Sequence, residues 1–222
     1  MKNVFKNFQP GRINCMKKIL FVLLLAELAI PAYTYAQTSK PAGDDQTLET
    51  IVCIRHGEKP PGGLGQLNCR GLNRALALPD VLLKKFGTPQ FIFAPNPMHK
   101  VDGFPGYYYV RPLMTIEPTA IRCGLPVNTE FGYDEIKGLE DELTRPRYQN
   151  AAIFVAWEHG LLDEFAKNMV KDNGDDPREV PIWKGSEYDM IFIFKIIRES
   201  GQEKFSFTVD HEGLNGLSDT CP

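Results

Sequence analysis

The stretch Ile51-Val52-Cys53-Ile54-Arg55-His56-Gly57-Glu58-Lys59-Pro60-Pro61 decides how this chain is read. Its first four residues are apolar and mostly β-branched, which predicts a short strand buried on both faces. A charged turn follows at once. In open α/β sheets, ligands bind beyond the carboxyl ends of the strands, so this turn is the first candidate site. Arg55 and Lys59 bring two cations to it, Gly57 allows close backbone approach, and His56 offers an imidazole nitrogen as a nucleophile. A charged loop with no further role is the other reading of these residues, and local chemistry does not choose between the two.

Residues Ala151 to Trp157 repeat the arrangement. The run is apolar throughout, as expected for a central parallel strand covered on both faces. Trp157-Glu158-His159-Gly160 stands at its exit. Leu161, Leu162, Phe165, Ala166 and Met169 then keep helical spacing. The unpaired N–H groups at the start of such a helix favour an anion. One His at a strand end is usually a hydrogen-bonded structural residue, and His99 and His211 are read that way. Two His, each at the exit of a buried strand, form a less ordinary pattern.

Working outward, the rest of the chain alternates between the two periodicities. Leu72, Ala75, Leu76, Pro79, Leu82, Leu83 and Phe86 predict a helix over 71–86, kinked or split at Pro79 and stopped at Gly87. Residues 91–94 read as a strand, 95–111 as a long loop rich in Pro, Gly and Tyr, and 112–123 and 134–144 as helices. Residues 190–197 read as another strong strand. Phe205, Phe207 and Val209 alternate with polar residues in a half-exposed edge strand, reached by a turn at Ser200-Gly201. Alternating βα units imply an α/β fold, a three-layer α/β/α sandwich with a mainly parallel central sheet.

The amino terminus reads differently. Lys17 and Lys18 precede the apolar run Ile19 to Ile30, broken only by Glu27, and small residues lead up to Ala36. Residues 1–36 therefore resemble a secretory signal, 37–47 a polar tail, and 48–222 the functional domain. An uncleaved anchor is the alternative, although the run is short for a bilayer span of about 20 residues. The expected location is secreted or periplasmic, with no stable membrane association after cleavage. The chain carries 25 basic and 28 acidic side chains, a net charge of −3; loss of residues 1–36 lowers it by four, to −7. There is no electrostatic footprint for nucleic acid. Any anion site must be built from a local cluster of cations. Export also implies an oxidising compartment. Cys53 sits in the first strand and is expected to be a buried core residue. Cys69 and Cys221 lie in polar surroundings, so at most one disulfide, Cys69 to Cys221, is expected to tie the carboxyl tail to the first loop. No CxxC pair and only four His argue against a zinc knuckle or a His-rich metal cage.

With these residues in place, a resemblance becomes specific. Ile51 to Gly62 looks like the signature of the histidine phosphatase superfamily, which includes phosphoglycerate mutases, acid phosphatases and phytases. The acid phosphatase branch reads Arg-His-Gly-x-Arg-x-Pro; this chain matches at Arg55, His56, Gly57 and Pro61, with Lys59 in place of the second Arg. Gly71 to Leu76 resembles the family's next helix. Arg111 to Glu117, with Gly124-Leu125-Pro126-Val127 after it, resembles the family's Arg-containing helix and its exit. Ala151 to Gly160 resembles the strand that delivers a second His. The similarity spans about residues 50–197.

The resemblance implies a phosphoglycerate mutase-like fold and a metal-independent phosphomonoester hydrolase that needs no cofactor and acts on a small phosphoester. His56 would become phosphohistidine. Arg55, Arg111 and His159 would surround the phosphoryl oxygens, and Lys59 would bind substrate. The His56 ring then needs an acceptor on its second nitrogen to fix the attacking tautomer. Where the acid phosphatase branch has Asp after the second His, this chain has Gly160, so the general acid stays open among Glu58, Glu130, Glu135 and Glu158. A phosphomutase and a non-catalytic phosphate-binding protein of the same fold are the rival readings. Tyr107, Tyr108 and Tyr109 could stack on an aromatic or sugar ester or serve only as loop packing.

Overall fold

The computed structural model describes residues 46–222. The expected signal segment and all but the end of the polar tail lie outside the described residues. Strand β1 spans Thr47–Arg55 and so begins at the last residue of that tail. It is longer than its apolar run predicts because it pairs on both sides. Arg55 aligns with Trp157 of the parallel strand β6, Ala152–Trp157, while Ile54 faces Ile191 of the antiparallel strand β7, Met190–Glu199.

Strand β6 lies between β1 and the parallel β2, Phe91–Phe93, in the central place its apolar sequence predicts. A short parallel strand β5, Val127–Asn128, closes one edge. At the other edge β7 turns through Ser200-Gly201 into β8, Gln202–His211. The sheet order is β5-β2-β6-β1-β7-β8. The four strands from β5 to β1 are parallel, and β7 and β8 add an antiparallel margin.

Successive side chains of a strand point to opposite faces. Ile51 and Cys53 join one buried cluster with Ile153, Val155 and Trp157 of β6. Leu139 of helix α3, Ile136–Leu143, and Leu162 and Phe165 of α4, His159–Asp172, belong to it. Val52 and Ile54 join a second cluster with Phe154 and Ala156. Its helical members are Leu78 and Leu82 of α1, Cys69–Phe86, and Ile116 and Ala120 of α2, Arg111–Cys123. Each fully buried apolar side chain contributes about 1.5–3 kcal/mol.

Two expectations need correction. Of the kink or split expected at Pro79, the split does not occur: helix α1 runs on through the buried proline. Ala75, Leu78 and Leu82 are buried on both sides of the proline, and that packing outweighs the hydrogen bond lost. The segment 95–111 is not all loop. It holds a hairpin of two-residue strands, β3 (Lys100–Val101) and β4 (Tyr107–Tyr108), too short to show alternation, and its last residue opens α2. Cys69 and Cys221 form the expected disulfide, and Cys53 is a buried thiol. Cys69, however, is the first residue of α1 and not part of a loop.

Candidate functional site

The register of the sheet assembles the site. Because Arg55 aligns with Trp157, the next residues of both strands emerge side by side, and the His56 N–H donates to the Trp157 carbonyl at 3.0 Å. Arg111 arrives from the first turn of α2, its N–H held by Gly65 O at 3.0 Å. His159 opens α4, where the Glu158 carboxylate caps the helix by accepting from the Leu161 N–H at 3.0 Å.

His56 is only 2% exposed, although its place after the strand suggested a side chain outside the core. Its ring stands edge-on to Tyr109 and Tyr188, with centroids 6.0 and 6.2 Å away. Nδ1 donates to the Gly57 carbonyl at 2.7 Å, which is the acceptor the sequence reading lacked. With the proton on Nδ1, Nε2 carries the lone pair. Burial above all, helped by the charges of Arg111 and Arg55, pulls the imidazole pKa down to about 3 against the Gly57 hydrogen bond. The ring is neutral at neutral pH.

Thr115 locks this turn to the next cation. Its hydroxyl accepts from Gly57 N at 2.9 Å and donates to Arg111 O at 2.8 Å. Gly57 itself leaves no room for a side chain, since a Cβ there would lie 2.9 Å from Gly71 O of α1.

The two arginines are buried and only partly matched. Arg55 Nη1 donates to Gly185 O at 2.8 Å and Glu187 O at 2.7 Å, and its guanidinium lies 3.8 Å from the Tyr188 ring centroid. Arg111 Nη1 donates to Asp102 Oδ2 at 2.5 Å and Gly63 O at 3.3 Å. The Nε–H of Arg55 and the Nε–H of Arg111 have no acceptor. Buried donors are nearly always satisfied, so two orphans beside one neutral histidine mark a place for an anion.

The remaining residues sort themselves. His159 pairs with Glu158 through Nδ1, and its Nε2 lies close to Gly185, where an added Cβ would come within 3.6 Å. Lys59 is exposed, and the structure does not bring it into the buried cluster. Three of the four acid candidates are committed elsewhere. Glu58 accepts from Nη2 and Nε along one edge of the buried Arg74 guanidinium at 2.7 and 3.0 Å. Burial pushes Glu158 up, but His159 and the Leu161 and Gly160 N–H groups outweigh it and hold the carboxyl down to about 2, so it carries no proton to give. Glu135 accepts from Gly132 N at 2.6 Å. Glu130 is exposed, and its loop reaches the site through Tyr133, which packs 5.4 Å from Tyr109. Among the described residues no group of three or more His, Cys, Asp or Glu side chains is arranged to hold a metal ion.

The site also uses a segment that no motif marked. Trp183 to Tyr188 supplies both carbonyls on Arg55 and the ring over it, and Trp183 anchors the loop by donating to Glu187 O at 3.1 Å. The one signal was the pair of aromatics in an otherwise polar stretch before β7.

No family model matches the chain, and no curated protein matches it. Solved structures similar to it include a mycobacterial glucosyl-3-phosphoglycerate phosphatase, at 14% identity and a TM-score of 0.48, covering 72% of this chain and 97% of that one. A phosphoserine phosphatase of Entamoeba histolytica, solved with phosphoserine, shares 13% identity over 76% of this chain and 99% of its own, with a TM-score of 0.45. A phosphoglycerate mutase of Plasmodium falciparum shares 12% over 73% and 89%, with a TM-score of 0.46. These similar structures are histidine phosphatase superfamily proteins.

Proposed function

We propose that this chain is a phosphomonoester hydrolase of the histidine phosphatase kind, with His56 as its nucleophile. The carrying observation is a neutral, buried His56 whose tautomer is set by Gly57, flanked by two arginines with unmet N–H donors. In this reading His56 Nε2 attacks phosphorus in line, and the P–O bond to the leaving group breaks. The leaving oxygen takes a proton from a general acid. Water then gives a proton to the deprotonated acid and attacks the phosphohistidine; the P–N bond breaks, releasing inorganic phosphate and restoring neutral His56 and the protonated acid.

Phosphoryl transfer is dominated by positioning and by neutralising charge on the equatorial oxygens. Arg55 and Arg111 suit that task because the guanidinium keeps its charge and donates in a fixed fork. They supply it without a metal ion. Glu130 is the general acid in this reading. Of the four candidates it alone has a side chain with no hydrogen bond or ion pair among the described residues, so its carboxyl is free to give and retake a proton. The substrate is a small phosphoester, and Lys59 at the rim meets it from outside. A secreted or periplasmic location suits the Cys69–Cys221 disulfide, since such bonds persist in oxidising compartments. The phosphoglycerate mutase-like α/β/α sandwich belongs to the same reading.

The test is brief incubation with a radiolabelled phosphoester, followed by an alkaline quench. Label should appear on the wild-type chain, stable to alkali and labile to acid, and be absent from His56→Ala along with all turnover of p-nitrophenyl phosphate. Full activity of His56→Ala, or label on Ser or Asp, defeats the reading. Phosphate binding without turnover would turn it into a phosphate-binding protein.

A further inference from the structure

The three consecutive tyrosines before α2 do not share one environment. Tyr107 and Tyr108 are exposed on the hairpin. Tyr109 is 1% exposed and enters the site. Its backbone N–H is fixed by His99 O at 2.8 Å. Its ring packs edge-on to His56 and Tyr133, with centroids 6.0 and 5.4 Å away, and the Arg111 guanidinium lies 4.7 Å from its centroid. The ring is thus held on several sides, and its hydroxyl is buried with no acceptor for its proton.

Leaving the proton of a buried hydroxyl unpaired is destabilising. The neighbours do not remove that cost. Arg111 is near enough to act on the phenol, but a guanidinium only donates, so the O–H proton still has no acceptor. The charges of Arg111, Arg55 and Glu158 all act on this hydroxyl, which sets it within the same cluster as His56. Three donors therefore converge without an acceptor: Tyr109 O–H, Arg111 Nε–H and Arg55 Nε–H. What such a cluster lacks is a group with several acceptor oxygens.

We propose that the Tyr109 hydroxyl is a further ligand of the phosphoryl group, donating to one of its oxygens beside Arg111. The inference rests on the phosphoryl-transfer reading above and adds to it a residue outside the matched motifs. Tyr109 acts as a donor and not as the general acid. Burial pushes its pKa up, so it holds its proton throughout the working range.

The experiment compares the wild-type chain with Tyr109→Phe, which keeps the ring and deletes only the hydroxyl. Binding of inorganic phosphate and of orthovanadate is measured by calorimetry, melting temperature with and without phosphate, and kcat and KM on p-nitrophenyl phosphate. A hydrogen bond to a charged acceptor contributes about 1.5–3 kcal/mol, so phosphate and vanadate should bind about 10- to 100-fold more weakly. The ligand-free variant should melt no lower than wild type, because an unpaired buried hydroxyl is gone, while its stabilisation by phosphate should shrink. Unchanged affinity with unchanged kcat/KM overturns the inference. Should Tyr109→Phe fail to fold, phosphate added to the wild-type chain should shift the near-ultraviolet tyrosine absorbance, and a flat difference spectrum overturns it instead. A chain that binds phosphate but hydrolyses no phosphoester defeats the hydrolase reading, while the affinity comparison still decides Tyr109.

Discussion

Arg74 and Arg111 are both buried guanidinium groups near the start of a helix, and their surroundings meet them differently. Arg74 is matched along every edge. Glu58 takes Nε and Nη2, Glu212 takes Nη1, and Asp189 lies 3.5 Å from the same nitrogen. Arg111 is held on one side by Asp102 and Gly63, and Arg55 by two carbonyls; each keeps an Nε–H with no acceptor. The two regions touch through adjacent residues, since Glu58 follows the His56-Gly57 turn directly. A matched buried charge is part of the scaffold. A half-matched one is held in place for something that is not part of the chain. The scaffold region fixes where the site region points: through Arg74, the Glu58 side chain is tied to Asp189 just before β7 and to Glu212 just after β8.

That contrast can be broken most forcefully at Arg74. Replacing it with Met strands the Glu58 carboxylate without its counter-charge and leaves Glu212 and Asp189 without the guanidinium they face. Breaking a buried ion pair in this way costs about 3–5 kcal/mol, to be read from urea unfolding. A loss under about 1 kcal/mol would mean that Arg74 is no scaffold. Arg111→Lys should show the opposite profile. It keeps the charge opposite Asp102 but loses the fork, and turnover of p-nitrophenyl phosphate should fall about 10²- to 10³-fold with little change in melting temperature. A larger effect on stability than on turnover would erase the distinction.

The last test reads a change of slope. Burial, reinforced by Asp189 and Glu58, pushes the Glu212 carboxyl up from 4.5 to about 8 against the pull of Arg74. Between those values the native chain holds a proton that the unfolded chain has lost. Its contribution to stability is therefore full below pH 4.5 and fades as the pH rises to about 8. Glu212→Gln cannot titrate, so urea unfolding across that window should show a flatter fall with rising pH than wild type. Parallel curves would mean that Glu212 is ionised and fully matched by Arg74.

The scaffold contrast was not visible in the sequence. The apolar stripe read for this helix runs through Leu72 and Leu76, which the structure leaves half-buried and exposed, whereas the buried face carries Gly71, Arg74, Ala75 and Leu78. Nothing local named the partner of Arg74, because Glu212 lies 138 residues away. Tyr109 was visible only as one of three tyrosines. The hairpin separates them, and its strands are too short to be read from alternation. The Trp183–Tyr188 loop carries no periodicity at all, and its role comes from carbonyl groups that every residue possesses.

Two buried strands, a histidine at the exit of each, cations beside the first, and a covalent tie between Cys69 and Cys221 were all legible along the chain. Apolar periodicity and strand-end position are local properties, set by which side chains can leave water together. The tertiary structure alone decided that His56 is buried and neutral, that Gly57 sets its tautomer, that Glu58 serves Arg74 and not the chemistry, and which arginine donors stay unmet. Those properties depend on desolvation and on acceptors supplied from distant segments, and neither is encoded in the spacing of neighbouring residues.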